Sequence, residues 1–194
     1  MDENMRHQAM NLCAAIFVIP LFLGFLESLP GDAFASSSVL QQYCNDKYMY
    51  CVNIPRSGKA VPHEGDAPKH GITIQLPQTG EEIWTYAHWD AALLQGSQKA
   101  ALRQIEIIFS EHPDTDVSMA STRLADLSAY HLRFSYAGLQ PITEEIIIAY
   151  RKSKDQSKET GIIYEIGMKC ASSTCKVSAA TFESFVSTFR LTDK

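Results

Sequence analysis

The sequence contains no apolar run long enough to cross a bilayer as a helix. Its longest such run, Leu12–Leu26, has fifteen residues and is interrupted by Pro20 and Gly24, whereas a spanning helix needs about 20 apolar residues. A run of this length near the N-terminus, preceded by a polar segment, is typical of a secretory signal peptide.

An excess of basic residues is also lacking. Beyond residue 35 the chain holds 16 Lys and Arg against 18 Asp and Glu, a net charge of −2. Nucleic-acid binding normally requires a clustered basic face, and recruitment to anionic lipid requires a polybasic patch. We therefore expect no nucleic-acid partner, and no stable membrane insertion once the leader is removed.

Recognisable catalytic and redox motifs are absent as well. The chain has no G-x-S-x-G nucleophile elbow, and no two cysteines have the C-x-x-C spacing of thioredoxin-type sites. No metal or nucleotide motif stands out, and no internal repeat or low-complexity segment occurs. The sequence therefore predicts neither an enzyme nor a cofactor-binding protein.

The first 35 residues have the three parts of a cleavable leader. A polar segment with Arg6 precedes the apolar run, Pro30 and the following glycine break the helix, and Ala33 and Ala35 supply the small residues that signal peptidase accepts. We predict cleavage before Ser36, with an uncleaved membrane anchor as the alternative. The predicted organisation is a signal peptide over residues 1–35 and one domain over 36–194.

Four cysteines remain in the mature chain, at positions 44, 51, 170 and 175. An even number suits an oxidising compartment, and four cysteines allow three pairings. The pairing of neighbours, Cys44 with Cys51 and Cys170 with Cys175, closes only two short loops. A four-cysteine zinc site is the alternative, although the spacings are wider than those of usual paired zinc ligands.

Six segments have the alternation or β-branched composition of strands. They are Tyr48–Ile54, Ile72–Leu76, Ile83–Ala87, Ala129–Tyr136, Glu144–Arg151 and Gly161–Met168. Short polar connections between them favour antiparallel neighbours. Residues 36–42 are predicted as a flexible lead-in and residues 56–70, which contain two prolines and two glycines, as an irregular surface loop.

Two helices are predicted from apolar residues that recur every three or four positions. One runs from a cap at Asp90 to about Phe109, and the other follows a cap at Ser178 and carries Phe185 and Phe189 on its apolar face. The predicted fold class is α+β, a mainly antiparallel sheet of about six strands with a mid-chain helix and a C-terminal helix packed on it.

Two segments carry a resemblance to known proteins. The sequence YCNDKYMYCVNIP, from Tyr43 to Pro55, resembles the start of a group of small exported bacterial proteins of unassigned function. The sequence FESFVSTF, from Phe182 to Phe189, is similar to the final helix of PsbP-like domains, the fold of a photosystem extrinsic protein and of several bacterial envelope lipoproteins. The resemblance covers the element order of most of the mature chain and implies a binding or assembly role without catalysis.

The most suggestive candidate site is the group Trp84, Tyr86, His88 and Trp89. Aromatic rings around an imidazole can stack against a sugar or an aromatic ligand. The alternative interpretation places both tryptophans in the core and its cover, with His88 at the end of a strand.

Other clusters of polar residues are weaker candidates. The loop residues His63, Glu64, Asp66 and His70 offer metal-ligand types, but their spacing matches no standard motif and a solvated loop explains them. The adjacent carboxylates Glu81-Glu82 and Glu144-Glu145 lie on strands, where neighbours point to opposite faces and cannot share a substrate.

We therefore expect an exported protein, periplasmic or secreted, that binds another protein or an envelope component through loops on an α+β scaffold. One alternative is an immunity protein that inhibits a toxic envelope enzyme. Another is a hydrolase of cell-wall or sugar substrates, which would require a deep pocket converging on His88 or His131 with a carboxylate.

Overall fold

A computed structural model describes residues 41–63, 70–137, 140–153 and 160–192. The leader and the predicted cleavage point at Ser36 lie outside these residues. The described residues fall within a compact unit that spans residues 38–194. Its elements are β1 Gln42–Asn45, β2 Tyr50–Asn53, β3 Lys59–His63, β4 His70–Leu76, β5 Glu81–Trp89, α1 Ser97–Glu111, β6 Asp116–Leu124, β7 Leu127–Tyr136, β8 Ile142–Lys152, β9 Gly161–Ala171, α2 Cys175–Ser187 and β10 Arg190–Leu191.

The strands form two antiparallel sheets. A seven-stranded sheet has the order β3-β4-β5-β9-β8-β7-β6, and a small sheet has the order β1-β2-β10. The predicted α+β class, the β4–β5 hairpin and the β7–β8–β9 meander are confirmed. The number of strands was underestimated, because β1, β3, β6 and β10 are short or lie at sheet edges, where one-sided burial weakens the alternation of apolar residues.

Two of the irregular segments in the sequence prediction are in fact strands. Residues 59–63, within the predicted loop 56–70, form edge strand β3, and this position tolerates Pro62 because an edge strand has a free N–H side. Gln42, within the predicted flexible lead-in, begins β1. In both cases pairing with a neighbouring strand overrides a local composition that is typical of loops.

The seven-stranded sheet separates two apolar cores. On one face, residues of β4, β5 and β9 pack against the small sheet and α2, and on the other face, residues of β7 and β8 pack against α1. Strand β9 is apolar on both sides because it lies in the middle of the sheet between these two cores. The helices therefore cover opposite faces of the sheet.

Aromatic side chains fill the core between the two sheets. The Tyr50 ring stacks on Phe189 with centroids 5.5 Å apart and meets Tyr164 edge-on at 5.9 Å. The Tyr164 hydroxyl donates a hydrogen bond of 2.9 Å to the backbone oxygen of Tyr48. Desolvation raises the pKa of both buried phenols, so they remain neutral at physiological pH.

Both disulfides join neighbouring cysteines. Cys44 and Cys51 lie directly opposite each other in the β1–β2 pair, so their bond fastens the small sheet. Cys170 and Cys175 join the end of β9 to the first residue of α2, with a Cα–Cα distance of 5.3 Å. This is the pairing of neighbours expected from their spacing, and it does not form the zinc cage considered as the alternative.

Asp90 does not cap α1. Its carboxylate accepts hydrogen bonds from the backbone N–H groups of Leu94 and Gln95, at 2.9 and 2.8 Å, and so shapes the turn before the helix. The helix itself begins at Ser97, whose hydroxyl donates to the carbonyl of Ser128 and accepts from the N–H of Tyr150. These two bonds fix the start of α1 over β7 and β8.

Ser178 is likewise not the cap of the last helix. The Cys170–Cys175 bond sets the beginning of α2 at Cys175, and Ser178 lies one turn inside it, only 2% exposed. The predicted apolar face is confirmed, since Phe182 and Phe185 are buried against the sheet. Within the described residues, neither helix is long and apolar enough to span a membrane.

Candidate functional site

Strand β5 divides the four residues of the predicted aromatic group between two faces of the sheet. Trp84, Tyr86 and His88 alternate along one face, which is the face that α1 partly covers. Trp89 points to the opposite face, packs against Tyr48 at 5.8 Å and is 44% exposed. Because side chains on a strand alternate, Trp89 cannot join the other three in one site.

Trp84 lies flat against the backbone of β9. A Cβ atom placed on Gly167, its register partner, would lie 2.3 Å from the Cζ2 atom of the indole. Glycine is therefore required at this position if the ring is to lie on the sheet. Tyr86 stacks beside Trp84 with centroids 6.5 Å apart and an interplanar angle of 27°.

A chain of hydrogen bonds fixes Tyr86 at its other edge. Its hydroxyl lies 2.6 Å from Thr73 Oγ1, and Thr73 Oγ1 lies 2.9 Å from His63 Nε2. The His63 ring also meets the tyrosine ring edge-on at 5.6 Å. These contacts hold a half-exposed phenol ring in one orientation, which reduces the entropy that it would lose on binding a ligand.

His88 forms an ion pair with a buried carboxylate. Its Nε2 atom lies 3.1 Å from Glu165 Oε1, and its Nδ1 atom lies 3.1 Å from the backbone oxygen of Trp89. The Glu165 side chain is only 7% exposed, whereas that of His88 is 26% exposed. Both ring nitrogens therefore face oxygen acceptors, the backbone carbonyl on one side and the carboxylate on the other.

A cavity of about 270 Å³ opens beside this pair, between α1 and strands β5, β8 and β9. His88 and Glu165 lie at one side of it, Arg103 and Gln104 of α1 lie at the other, and apolar side chains such as Ile163 form much of the remaining wall. No serine, threonine or cysteine lines this cavity among the described residues. The site combines an acid–base pair with an apolar pocket and offers no hydroxyl or thiol nucleophile there.

We refer to the residues on this side of the sheet as the aromatic face. It consists of His63, Thr73, Trp84, Tyr86, His88 and Glu165. Helix α1 packs on β7 and β8, at the other half of the same face. The aromatic face therefore lies at the boundary where the helical cover ends.

A second histidine–carboxylate pair lies on the other face of the sheet. His131 Nε2 is 3.1 Å from Glu145 Oε2, and Arg133 Nε is 3.9 Å from Oε1 of the same carboxyl group. The hydrogen bond from His131 is the main cause that lowers the pKa of Glu145. The His131 side chain is 37% exposed, so this pair is a surface contact between strands.

The other sequence candidates do not converge. His63 and His70 point to opposite faces of the β3–β4 hairpin, while Glu64 and Asp66 lie outside the described residues. No group of three or more metal-ligand side chains occurs in the part of the chain that the structure describes.

The two adjacent carboxylate pairs are split between faces as expected. Glu81 is buried whereas Glu82 is exposed, and Glu144 accepts a hydrogen bond from the Tyr136 hydroxyl whereas Glu145 contacts His131. Neither pair can therefore act on one substrate.

Two larger grooves lie away from the aromatic face. One of about 450 Å³ follows α2 and the turn at Pro55, and one of about 410 Å³ lies at the end of the sheet beside Cys170. Neither brings an imidazole to a carboxylate, so size alone does not identify the site.

Sequence reasoning missed Glu165, Gly167 and Thr73. They reach the site only through the pairing of β5 with β9 and β4, which no local pattern reveals. A signal for Glu165 was present, because it is the single charged residue in the apolar run from Ile162 to Met168. A lone carboxylate in a buried strand requires a partner and often marks a site.

The architecture defines a class: a two-sheet antiparallel α+β sandwich with helices on opposite faces, held by two disulfides. No family model and no curated protein sequence matches the chain.

Solved structures identify the fold. The solution structure of cyanobacterial PsbP (CyanoP) from Synechocystis sp. PCC 6803 is similar with a TM-score of 0.55 and 14% identity, over 86% of this chain and 98% of that one. The crystal structure of LpqN, involved in cell envelope biogenesis of Mycobacterium tuberculosis, gives a TM-score of 0.55 and 13% identity, over 81% of this chain and 88% of that one. The protein has a PsbP-like fold, as the resemblance of its final helix predicts.

Proposed function

We propose that this protein is exported to the bacterial envelope and acts there, without catalysis, as a binding protein whose aromatic face contacts its partner or ligand. The observation that carries this proposal is the stacked pair Trp84–Tyr86, which is partly exposed yet held from below by Gly167 and at its edge by Thr73. Rigid aromatic surface beside polar groups is the usual composition of a recognition site.

The polar groups around the rings add directionality. His88 and Glu165 lie next to the aromatic pair in register, and His63 lies at its other side. These groups supply hydrogen-bond donors and acceptors with defined directions, while the rings supply contact area. This proposal moves the binding surface from the loops, where sequence reasoning placed it, to a face of the sheet.

Two features support export. The leader predicted for residues 1–35 has the charge, length and small residues of a signal peptide. Both disulfides of the described domain belong to oxidising compartments and are rare in the cytosol. The envelope context of LpqN agrees with this assignment.

Export is tested by intact mass. Protein recovered from the envelope or medium should begin at Ser36 and should lack four hydrogens relative to the fully reduced chain. Recovery with residues 1–35 attached would reject cleavage and favour the uncleaved membrane anchor, and four free thiols would contradict export to an oxidising compartment.

Binding is tested by photo-crosslinking from two positions on strand β5 whose side chains point to opposite faces of the sheet. Substitution of one tryptophan on each face supplies the matched pair of variants. A photo-crosslinking amino acid is introduced in the native cell at Tyr86 or at Trp89, which is exposed on the opposite face. We expect a discrete adduct from position 86 that the W84A substitution abolishes and W89A leaves intact. Equal adducts from both positions, or none from position 86, would contradict the assignment of the binding face. An adduct with a toxic enzyme whose activity the protein inhibits would identify it as an immunity protein.

A hydrolase of cell-wall or sugar substrates is the second candidate, and the pair His88–Glu165 beside the 270 Å³ cavity favours it. Such an enzyme would use the Glu165 carboxylate either to activate water or as the nucleophile, since the described lining has no hydroxyl or thiol side chain. Release of soluble fragments from purified cell wall by the wild type, and its loss in H88Q and E165Q, would establish catalysis and replace the binding proposal.

A further inference from the structure

The two edges of the seven-stranded sheet are protected very differently. Edge strand β3 has five residues and carries both Lys59 and Pro62. Lysine and proline on an edge strand commonly prevent another strand from pairing with it. Edge strand β6 has nine residues, without lysine or proline, and its central residues Ser118–Ser121 are exposed. A long edge with unpaired backbone groups and no such device is suited to pairing with another strand.

Helix α1, which packs on the neighbouring strands β7 and β8, carries exposed apolar side chains. Its side toward β9 carries Arg103 and Ile107, which line the cavity beside Glu165. The opposite side of the helix carries Leu102 and Phe109, two turns apart and therefore aligned, with exposures of 45% and 40%. Met119 of β6, which is 38% exposed, pairs with the core residue Leu132 and therefore points to the face of the sheet that α1 covers, so all three exposed apolar side chains lie on one side of the sheet.

The charges on β6 suit a second copy of the same strand. Asp116 stands at its beginning and Arg123 near its end, and the residues between them are uncharged. In an antiparallel pair centred on Ala120, Asp116 lies opposite Leu124 of the partner, Arg123 lies opposite Val117 and Ser118 lies opposite Thr122, so no like charges oppose each other. A parallel pair in the same register would instead place like charges side by side. The small net charge of the mature chain opposes association only weakly.

We propose that β6 is a dimerisation edge, on which a second copy of this chain adds its own β6 antiparallel and joins the two large sheets into one. The interface is isologous, with the two-fold axis normal to the sheet near Ala120. The exposed Met119 side chains of both copies lie beside this axis, and Leu102 and Phe109 lie on the same face of the joined sheet. Because a two-fold axis normal to the sheet preserves its faces, both aromatic faces lie on the same side of the dimer.

The proposal is tested by sedimentation of the purified disulfide-bonded protein from micromolar to several hundred micromolar concentration. We expect a reversible monomer–dimer equilibrium in the wild type. M119K should weaken it by about tenfold or more, because lysine on an edge strand opposes pairing. V61K is the matched control, since Val61 is 37% exposed on the other edge, and it should leave the equilibrium unchanged.

The register is tested with A120C. In the proposed pairing the two Ala120 Cα atoms face each other at about 4.5 to 5.5 Å, which a disulfide can bridge. Mild oxidation should therefore give a covalent dimer from A120C and not from V61C. A wild type that is monomeric throughout, equal effects of M119K and V61K, or no covalent A120C dimer would each overturn the proposal. M119K and A120C lie on β6, outside the aromatic face, so the binding test remains independent of them.

Discussion

The contact of Trp84 with Gly167 gives the most direct prediction about the site. In G167A the new methyl group would lie 2.3 Å from Cζ2 and 2.5 Å from Cε2 of the indole, far inside the roughly 3.5 to 4.0 Å of favourable carbon contacts. The backbone of β9 is fixed by strands on both sides, so the indole must move. Trp84 should therefore leave the sheet in this variant.

The expected cost follows from the position of the ring. Forcing an extra methyl group into packed surroundings costs about 1 to 3 kcal/mol. Trp84 is only partly buried and can rotate toward solvent, which favours a loss of about 1 kcal/mol, or roughly 2 to 4 °C in Tm for a domain of this size. The binding surface should be lost while the fold survives.

Fluorescence measures the movement of the ring directly. The protein has two tryptophans, so a W89F background leaves Trp84 as the single reporter. G167A should shift its emission to longer wavelength and abolish the adduct at position 86. The control is G96A, because a Cβ at Gly96 meets nothing within 4 Å. Unchanged emission in G167A, or an equal Tm loss in G96A, would refute the reasoning.

Three further predictions concern stability. F185A should lower the free energy of unfolding by about 3 to 5 kcal/mol, because Phe185 is 1% exposed in the core beneath α2; a urea midpoint that barely moves would show that α2 is peripheral. Replacing Cys170 and Cys175 together by serine should cost about 2 to 3 kcal/mol. Amide exchange should then accelerate at the start of α2 without global unfolding, and uniform acceleration would contradict a local role of the bond. The hydrogen bond from His131 lowers the pKa of the Glu145 carboxyl below its ordinary value of 4.5, so the ionised carboxylate stabilises the folded state above that pH. The E145Q substitution should remove this stabilisation. The difference in Tm between wild type and E145Q should therefore be largest near neutral pH and vanish as acid protonates the carboxyl, and a difference that grows in acid would refute this account of the pair.

Local sequence patterns predicted the strands and the helix in which buried residues recur at regular intervals. Alternation in Ile72–Leu76 and in Ala129–Tyr136 predicted strands because one face of each strand must enter a core, and the recurrence of Phe182 and Phe185 predicted the last helix for the same reason. The pairing of neighbouring cysteines was predicted from their short separation along the chain, because closing a loop between residues five or seven apart requires little rearrangement.

Element boundaries were less predictable because tertiary bonds set them. Asp90 and Ser178 have the side chains of helix caps, yet α1 begins where Ser97 bonds to two neighbouring strands and α2 begins at the disulfide. Strand β6 shows little apolar alternation because it lies at an edge and is mostly exposed. Its backbone pairing with β7 determines its conformation.

The sequence by itself determined that Trp84, Tyr86 and His88 share a face, because side chains two apart on a strand point the same way. Only the tertiary structure decided what meets them there. Pairing of β5 with β9 places Glu165 and Gly167 on that face, although these residues lie far away along the chain. The two hydrogen bonds of the Ser97 hydroxyl hold α1 over β7 and β8. The aromatic face therefore lies beside the part of the sheet that the helix covers. Strand order and helix placement are set by packing between segments that are distant in the sequence, and therefore no local periodicity of the sequence predicts them.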